Sequence, residues 1–410
     1  MTTAAPAESF VFNPYAPGFD ADPSPTYRHL LAHAPMYWWE RGRAFILSRH
    51  ADITALMKDP RFSRSPRDGR FYQPLPDVPE YREFRVANDH SIQVVSPADH
   101  LRLRRLVNSA FSPRAVEWLR EQTRDVTLNA LAQLPNDEVV NLAPLADYIP
   151  LRVIGRLLAI PDELEDAFLN FARTRIELVS PTLTPESRDR LLRAIGPGYQ
   201  DIRALIAERR QRPGGDLLST LIHHEEEGTR LSEPELLGLV SAIITGGSDT
   251  TVHTLRFLLL DLLEHPEQLA RVRQDPSLAR VAMEESLRFN LFSRFGSPAY
   301  ALEDVTLCGV KVERGQTVIP LTGAAGRDPA AFERPDEFDI DRPDLGRAHN
   351  FGLGPHTCLG IHLARLEGEV VLPTLLEHFP VMTLAGPPMF TMHPFFRVMS
   401  DLPVRVRPAT

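Results

Sequence analysis

The chain has 410 residues, 43% apolar and 24% charged, an ordinary globular composition with enough apolar material for a large core. A net charge of −9 argues against a nucleic-acid binder, and two cysteines in this length exclude a disulfide framework or a zinc cluster. The opening MTTAAPAESFVFNPYAPGFD has neither the basic nor the apolar region of a signal peptide, and no apolar run reaches the ~20 residues that span a bilayer. A soluble, cytoplasmic monomer with no membrane or nucleic-acid partner is expected.

In chain order, residues 1–10 are small and polar and read as a mobile tail on one catalytic domain, residues 1–410. FNPYAPGFDADPSPTY is punctuated by proline and reads as extended chain before a short helix. GRAFILS, residues 42–48, reads as a strand between turn signals. Helical patterns dominate from Ala51 to Phe289, broken by proline-rich stretches. Among these, Pro66–Ser96 reads as one long loop, and that length in a compact domain usually means a lid or binding loop. Ser232 with Glu235 three residues later predicts a capping box, with Pro234 in the first turn where its missing donor costs little. The apolar pattern then runs to Glu264 and stops at His265–Pro266, a helix of roughly 33 residues and about 50 Å. Such a helix crosses a whole domain and must be buried along much of its length. From Tyr300 the texture changes to short strands and turns, DVTLCGVKV, RGQTVIPL and finally LPVRV. The class expected is mainly α with small β-sheets (α+β).

The sharpest chemical signal is Phe351-Gly-Leu-Gly-Pro-His-Thr-Cys358-Leu-Gly360. Its glycines let the backbone turn tightly and lie close to a flat ligand. Cys358 stands where the helical pattern of IHLARLEGEVVLPTLLEHF begins, and the N–H groups and dipole of a helix start favour an anion. A thiolate held there is a good axial ligand for haem iron. A dinucleotide loop needs glycine at 357, where Thr357 stands, and His356 and Cys358 are too close in sequence to converge as base and nucleophile. A second signal is Gly246-Gly-Ser-Asp249-Thr250-Thr251. Two adjacent glycines inside a helix cost about 1 kcal/mol each against alanine, so something needs the space. Gly246 and Thr250 share one face, where a small ligand such as dioxygen has room beside the Thr250 hydroxyl and Asp249. Packing glycines followed by polar surface are the plain alternative. Glu285 with Arg288, and His100 with Arg104, each place two side chains on one helical face; alone they are a surface ion pair and a basic solvated face.

The segment around Cys358 resembles the FGxGxHxCxG haem signature of the cytochrome P450 family at every fixed position, and the other three motifs follow in that family's order over nearly the whole chain. The resemblance implies the P450 fold, with the long helix over haem b (iron protoporphyrin IX) and the Cys358 loop beneath it. It implies Cys358 as iron ligand, Phe351, Gly352, Gly360 and Gly246 around the cofactor, and His100, Arg104 and His356 as donors to a propionate. Asp249 and Thr250 match the acid and alcohol that deliver protons to bound oxygen, of which the reaction consumes two. Glu285 and Arg288, joined by Arg342 from PDEFDIDRP, form a structural network on the proximal side. The family's layout draws the substrate pocket from Ile92, Val94, Ala242, Thr245, Leu291, Phe292, Arg294 and Phe395, an apolar set suited to a lipophilic molecule. One position departs. The family usually carries arginine for the second propionate where Ala299 stands; either Arg294 substitutes or that propionate is held differently, and an Arg294 not on the haem meets a substrate carboxylate or carbonyl.

No flavin or nicotinamide fingerprint appears, so electrons must come from outside. The resemblance implies a ferredoxin and its reductase, with Arg102 and Arg105 on a basic docking face. The expected reaction inserts one oxygen atom from O2 into a lipophilic substrate, by hydroxylation or epoxidation. FNPYAPGFDADP, ARLEGE and HPFFR look similar to bacterial macrolide-tailoring members, which points to secondary metabolism, with fatty-acid hydroxylation as the other substrate class. A peroxide-driven haem-thiolate enzyme and a non-catalytic hydrophobic-ligand carrier are the rivals, and neither needs the Asp249–Thr250 pair.

Overall fold

The computed structural model describes residues 10–134, 138–178, 183–225 and 228–407, so nearly all of the tail expected over residues 1–10 lies outside them. Helices fill most of the chain to Phe289 and short strands follow, giving a mainly α architecture with small sheets. The helices that position the site are α1 (Arg82–Asp89), α2 (Pro97–Asn108), α3 (Ala143–Leu158), α4 (Glu165–Leu178), α5 (Glu233–Glu264), α6 (Ala279–Phe289) and α7 (Ile361–His378).

The long helix α5 is the axis of the molecule. Glu235 accepts from the Ser232 backbone N–H at 2.8 Å and Pro234 occupies the first turn. The helix ends at Glu264 because His265 precedes Pro266 and is pushed out of helical geometry. Its 32 residues rise about 48 Å and are largely buried under α1, α3, α4 and α6. The two adjacent glycines have separate causes. A Cβ on Gly247 would collide with the Ile154 side chain of α3, so this glycine lets two helices approach. A Cβ on Gly246 would meet nothing within 4 Å.

The Pro66–Ser96 segment, expected as a loop, contains α1 and 3₁₀ turns at Pro66–Asp68 and Pro79–Tyr81. REFRVAND is polar and its N-cap, Tyr81, makes no capping hydrogen bond, so little in the sequence announces a helix. Packing supplies what propensity lacks. Phe84 and Ala87 are buried, and Gly238 of α5 lets the Ala87 and His90 carbonyls come within 2.7 and 2.9 Å of where a Cβ would stand.

The main sheet contains β1 (Met36–Trp39), β2 (Ala44–Leu47), β3 (Phe62–Ser63), β4 (Ala299–Ala301) and β5 (Thr317–Pro320), in the order β1-β2-β5-β4-β3. Strands expected in GRAFILS and RGQTVIPL are β2 and β5. The two residues of β3 are too few to show a period; they form a strand by pairing with β4, Phe62 opposite Ala301 and Ser63 opposite Tyr300. DVTLCGVKV folds as a hairpin of Val305–Leu307 and Val310–Val312, with Cys308 and Gly309 at positive φ (51° and 77°) in its tight turn. The largest apolar core surrounds α5, and two smaller clusters flank the main sheet.

Candidate active site

The backbone folds sharply around Cys358. Gly352 and Gly354 adopt positive φ (72° and 69°), which suits residues without a Cβ. The Cys358 N–H donates to the Phe351 carbonyl at 2.8 Å and the Thr357 N–H to the Gly354 carbonyl at 3.1 Å. From outside, α6 anchors the loop: Asn350 donates to the Glu284 carbonyl and Arg365 to the Glu284 carboxylate, both at 2.7 Å. Arg365 also lies over the Phe351 ring. Gly360 caps α7, so Cys358 stands just ahead of a helix start. Burial raises the Cys358 thiol pKa; the Gly360 N–H and the Arg104 charge oppose it without cancelling it. The side chain nonetheless has accessible surface, which places it in an interior recess rather than in bulk water. A recessed thiol of this kind ionises when it ligates a metal.

Three donors stand beside this loop. Ser96 starts α2 by accepting from the Asp99 N–H at 3.2 Å, and the helix carries His100 and Arg104 on one face. The His100 ring is buried and stacks on His356 with centroids 3.9 Å apart. Burial, reinforced by neighbouring positive charge, lowers both imidazoles to about 4, so at pH 7 they are neutral donors. Burial also lowers the Arg104 pKa, and the group raising it is Cys358, with no carboxylate acting on it among the described residues. A recessed thiol flanked by two imidazoles and an uncompensated guanidinium fits a flat metal cofactor with acidic side arms. Arg102 leaves the other face of α2 and pairs with Glu235 at the start of α5, so it is already engaged; Arg105 is exposed.

Along α5, Ala242, Thr245, Gly246, Asp249 and Thr250 keep accessible surface while Ser241, Ile243, Ile244, Ser248 and Thr251 are buried. Their spacing of i, i+3, i+4, i+7 and i+8 makes one stripe. The Thr250 hydroxyl donates to the Gly246 carbonyl at 2.5 Å, and Thr245 donates to Ser241 at 2.7 Å. The Thr250 proton is thereby engaged, which leaves its oxygen to accept. Asp249 is pushed up to about 6, by burial first and then by Asp147, against Arg173 and Arg256. Arg256 donates to the Asp147 carboxylate at 2.6 Å and to the Ala143 carbonyl at 3.2 Å. Asp147 is 41% exposed and Arg173 is at the surface, so charged neighbours connect this acid to solvent. Nothing in the sequence marks Asp147, Arg173 and Arg256, which come from three different helices.

Glu285 and Arg288 are fully buried and joined by two hydrogen bonds of 2.7 Å. Arg342 reaches the same carboxylate at 3.3 Å, and the Asp339 N–H donates to it at 2.9 Å. The structure therefore brings this expected trio together, and Arg288 further donates to the Gly326 and Pro335 carbonyls at 2.7 and 2.8 Å.

The expected pocket residues fall in three places. Ala242 and Thr245 lie on the α5 stripe. Ile92 packs half-buried on the main core, and the Val94 carbonyl accepts from the Ser65 hydroxyl at 2.7 Å. An isolated bridge between Ser293 and Phe396 sets Leu291–Arg294 beside Phe395, where the Arg294 N–H donates to the Phe395 carbonyl at 2.9 Å. Phe292 lies 5.5 Å from Phe396 and 5.7 Å from His253, two rings the sequence did not single out. Arg294 overturns its expectation. It is fully buried, donates to the His393 carbonyl at 2.9 Å and the Pro14 carbonyl at 2.5 Å, and pairs with Asp20. A charge this far from water needs such partners around it, and they leave Arg294 for neither propionate nor substrate. Of two shallow surface hollows, the one beside Trp118 and Gln122 shares no residue with this site, and the one beside Ser277 and Arg280 touches it only at Glu284.

Fold and site together define a haem-thiolate protein, and comparison with known proteins adds the family. The family model "Cytochrome P450" matches residues 35–403. The chain is 35% identical over 412 residues to the epothilone C/D epoxidase of Sorangium cellulosum, covering 98% of this chain and 96% of that one. It is 32% identical over 399 residues to the cytochrome P450 monooxygenase PikC of Streptomyces venezuelae, covering 95% and 92%. The crystal structure of epothilone D-bound cytochrome P450epoK matches with a TM-score of 0.90 at 34% identity, over 98% of this chain and 100% of that one. P450BioI, solved in complex with a hexadec-9Z-enoic acid-ligated acyl carrier protein, matches at 0.85 and 29%, over 95% and 99%. The chain belongs to the cytochrome P450 family. It is a haem-thiolate monooxygenase with haem b as cofactor, related to macrolide-tailoring members, and it uses an external redox partner and a lipophilic substrate. No helix among the described residues is long and apolar enough to cross a membrane.

Proposed function

We propose that this monooxygenase oxidises a large lipophilic macrocycle of the polyketide kind, with Cys358 as iron ligand and the α5 stripe as the oxygen side of the pocket. The observation that carries the proposal is the stripe: five accessible positions along one face of a mostly buried helix, apolar at Ala242 and ending in an alcohol and an acid. Haem, when bound, supplies dioxygen activation and the oxidising power. The chain's residues do the rest. The Gly360 N–H and the start of α7 steady the Cys358 charge. Thr250 accepts a hydrogen bond and so orients a donor in the space beside Gly246. Asp249 exchanges protons near pH 6 and draws them from solvent past Asp147 and Arg173. Leu291, Phe292, Phe395 and Phe396, together with Ile92 and Val94, exclude water and offer apolar contact. Glu285, Arg288 and Arg342 hold the loop region in shape. Electrons come from a ferredoxin and its reductase in the cytoplasm, with docking on the face that carries Arg105.

Kinship with the epothilone C/D epoxidase supports a macrocycle, while the match to P450BioI favours an acyl chain as the second reading. Reduced, carbon monoxide-bound difference spectra of the native protein and Cys358→Ala come first, with a thiolate-type red-shifted Soret band expected only in the native protein. A histidine-type band, or no haem, overturns the assignment of Cys358. Titration with epothilone D, a smaller macrolactone and hexadecenoic acid then follows by the Soret shift, and a response to the fatty acid alone overturns the macrocycle. Turnover with ferredoxin, reductase and nicotinamide, set against turnover with peroxide alone, separates a monooxygenase from a peroxygenase, and ligand binding without product by either route identifies a carrier.

A further inference from the structure

The haem-b reading requires cationic partners for two propionates, and His100, Arg104 and His356 form one donor group. Arg294 is excluded as the source of another, because its guanidinium is shared among His393, Pro14 and Asp20. Ala299 is fully buried and offers no donor. The sheet points to a different residue. Strands β3 and β4 run antiparallel with Phe62 opposite Ala301 and Ser63 opposite Tyr300, and the next step of that register sets Arg64 opposite Ala299. Residues opposite one another in an antiparallel pair project to the same face of the sheet. Arg64 therefore leaves the sheet on the side where a residue-299 side chain would leave it.

The Arg64 guanidinium has donors to spare. One N–H donates to the Ser297 carbonyl at 2.7 Å, and no carboxylate pairs with it among the described residues. Burial depresses its pKa, which marks a cation partly stripped of water. The neighbouring Ser65 hydroxyl donates to the Val94 carbonyl at 2.7 Å, just ahead of α2, whose His100 stacks on His356 one helical turn before Arg104. The end of β3, the start of α2 and the cysteine loop thus bring two guanidiniums and two imidazoles to one side of the site. Arginine matches a carboxylate through two parallel N–H donors, and Arg64 has them free.

We propose that Arg64 anchors the second haem propionate, supplying from β3 the guanidinium that Ala299 does not supply from β4. The proposal rests on the haem reading above, which the carbon monoxide spectrum of the native protein tests separately. The decisive experiment measures the rate of haem transfer from holoenzyme to excess apomyoglobin in the native protein, Arg64→Ala, Arg64→Lys and the double variant Arg64→Ala/Ala299→Arg. Loss of one charge-assisted contact should speed transfer about tenfold to a hundredfold in Arg64→Ala, with partial recovery in Arg64→Lys. The double variant should return towards the native rate, since it places an arginine on the facing strand. Apoprotein reconstituted with haem dimethyl ester, which has no propionate charge, should lose haem equally fast with and without Arg64. Native-rate transfer from Arg64→Ala overturns the proposal, as does an Arg64→Ala penalty that persists with the ester. Should Arg64→Ala fail to load haem, recovery of haem content in the double variant supports the anchor and continued failure overturns it.

Discussion

Asp249 and Glu367 are both carboxyls pushed up by burial, yet their surroundings give them opposite uses. Asp249 has charged neighbours that reach solvent and a value of about 6, so it can take up and release protons near neutrality. If its acid form serves turnover, the rate falls as pH rises through about 6. Asp249→Asn should flatten that limb and slow product formation about a hundredfold, read as kcat against pH. An unchanged profile would remove Asp249 from proton delivery. Glu367 is fully buried on α7, and neither carboxylate oxygen has a partner. Its pKa is raised well above 4.5, so its folded-state value exceeds its unfolded one. The stability it contributes is full below the unfolded value and is lost as pH rises towards the folded value. Glu367→Gln should therefore gain thermal stability over the native chain progressively as pH rises above the ordinary carboxyl range. Equal melting curves throughout that rise would mean the carboxyl finds a partner after all.

Two glycines of α5 show how element-scale packing divides what looks alike in sequence. Gly238 is crossed by backbone: a Cβ there would stand 2.7 Å from the Ala87 carbonyl and 2.9 Å from that of His90. Carbonyls of a packed segment do not yield as a side-chain tip does, so Gly238→Ala should cost about 1–3 kcal/mol. Faster amide hydrogen exchange across Arg82–Asp89 would locate the damage. Gly246 faces open space, so Gly246→Ala should gain about 1 kcal/mol of helix propensity in the apoprotein. Denaturant titration of the two variants checks both signs, and like effects at the two positions would refute the division. The same contrast explains what could be read in advance. The axis α5 was legible because Ser232, Pro234, Glu235 and Pro266 are local signals, and the cysteine loop because its residues are contiguous. Helix α1 and strand β3 were hidden because their causes lie on α5 and β4, far away in sequence. Arg294 was misread for the same reason, since nothing near it in sequence reveals the carbonyls of Pro14 and His393.

At the scale of the molecule, the segment from Phe12 to Ala21 packs against the segments around Arg294 and Arg397. Phe12 is buried edge-on against Trp39 and Phe295, and the Tyr15 hydroxyl donates to the Pro394 carbonyl at 3.2 Å. Two fully buried arginines bind this segment to the rest. Arg294 uses Pro14 and Asp20, while Arg397 donates to the Asp20 and Ala21 carbonyls at 2.8 and 3.2 Å and to the Asn290 side chain at 2.6 Å. These arginines belong to the segments that set Phe292 beside Phe396, so the N-terminal residues help to shape the apolar wall from behind. Deleting residues 1–22 would strip both guanidiniums of their N-terminal acceptors while leaving them buried, and breaking a buried ion pair alone costs about 3–5 kcal/mol. The cysteine loop should be spared, because α6 anchors it through Glu284. The truncated protein should thus keep its thiolate-type carbon monoxide spectrum, melt at a lower temperature and bind substrate more weakly. Loss of the spectrum together with the affinity would show that the segment supports the whole haem site. Native affinity and melting temperature would show that Asn290, Leu291 and His393 satisfy the two arginines without it.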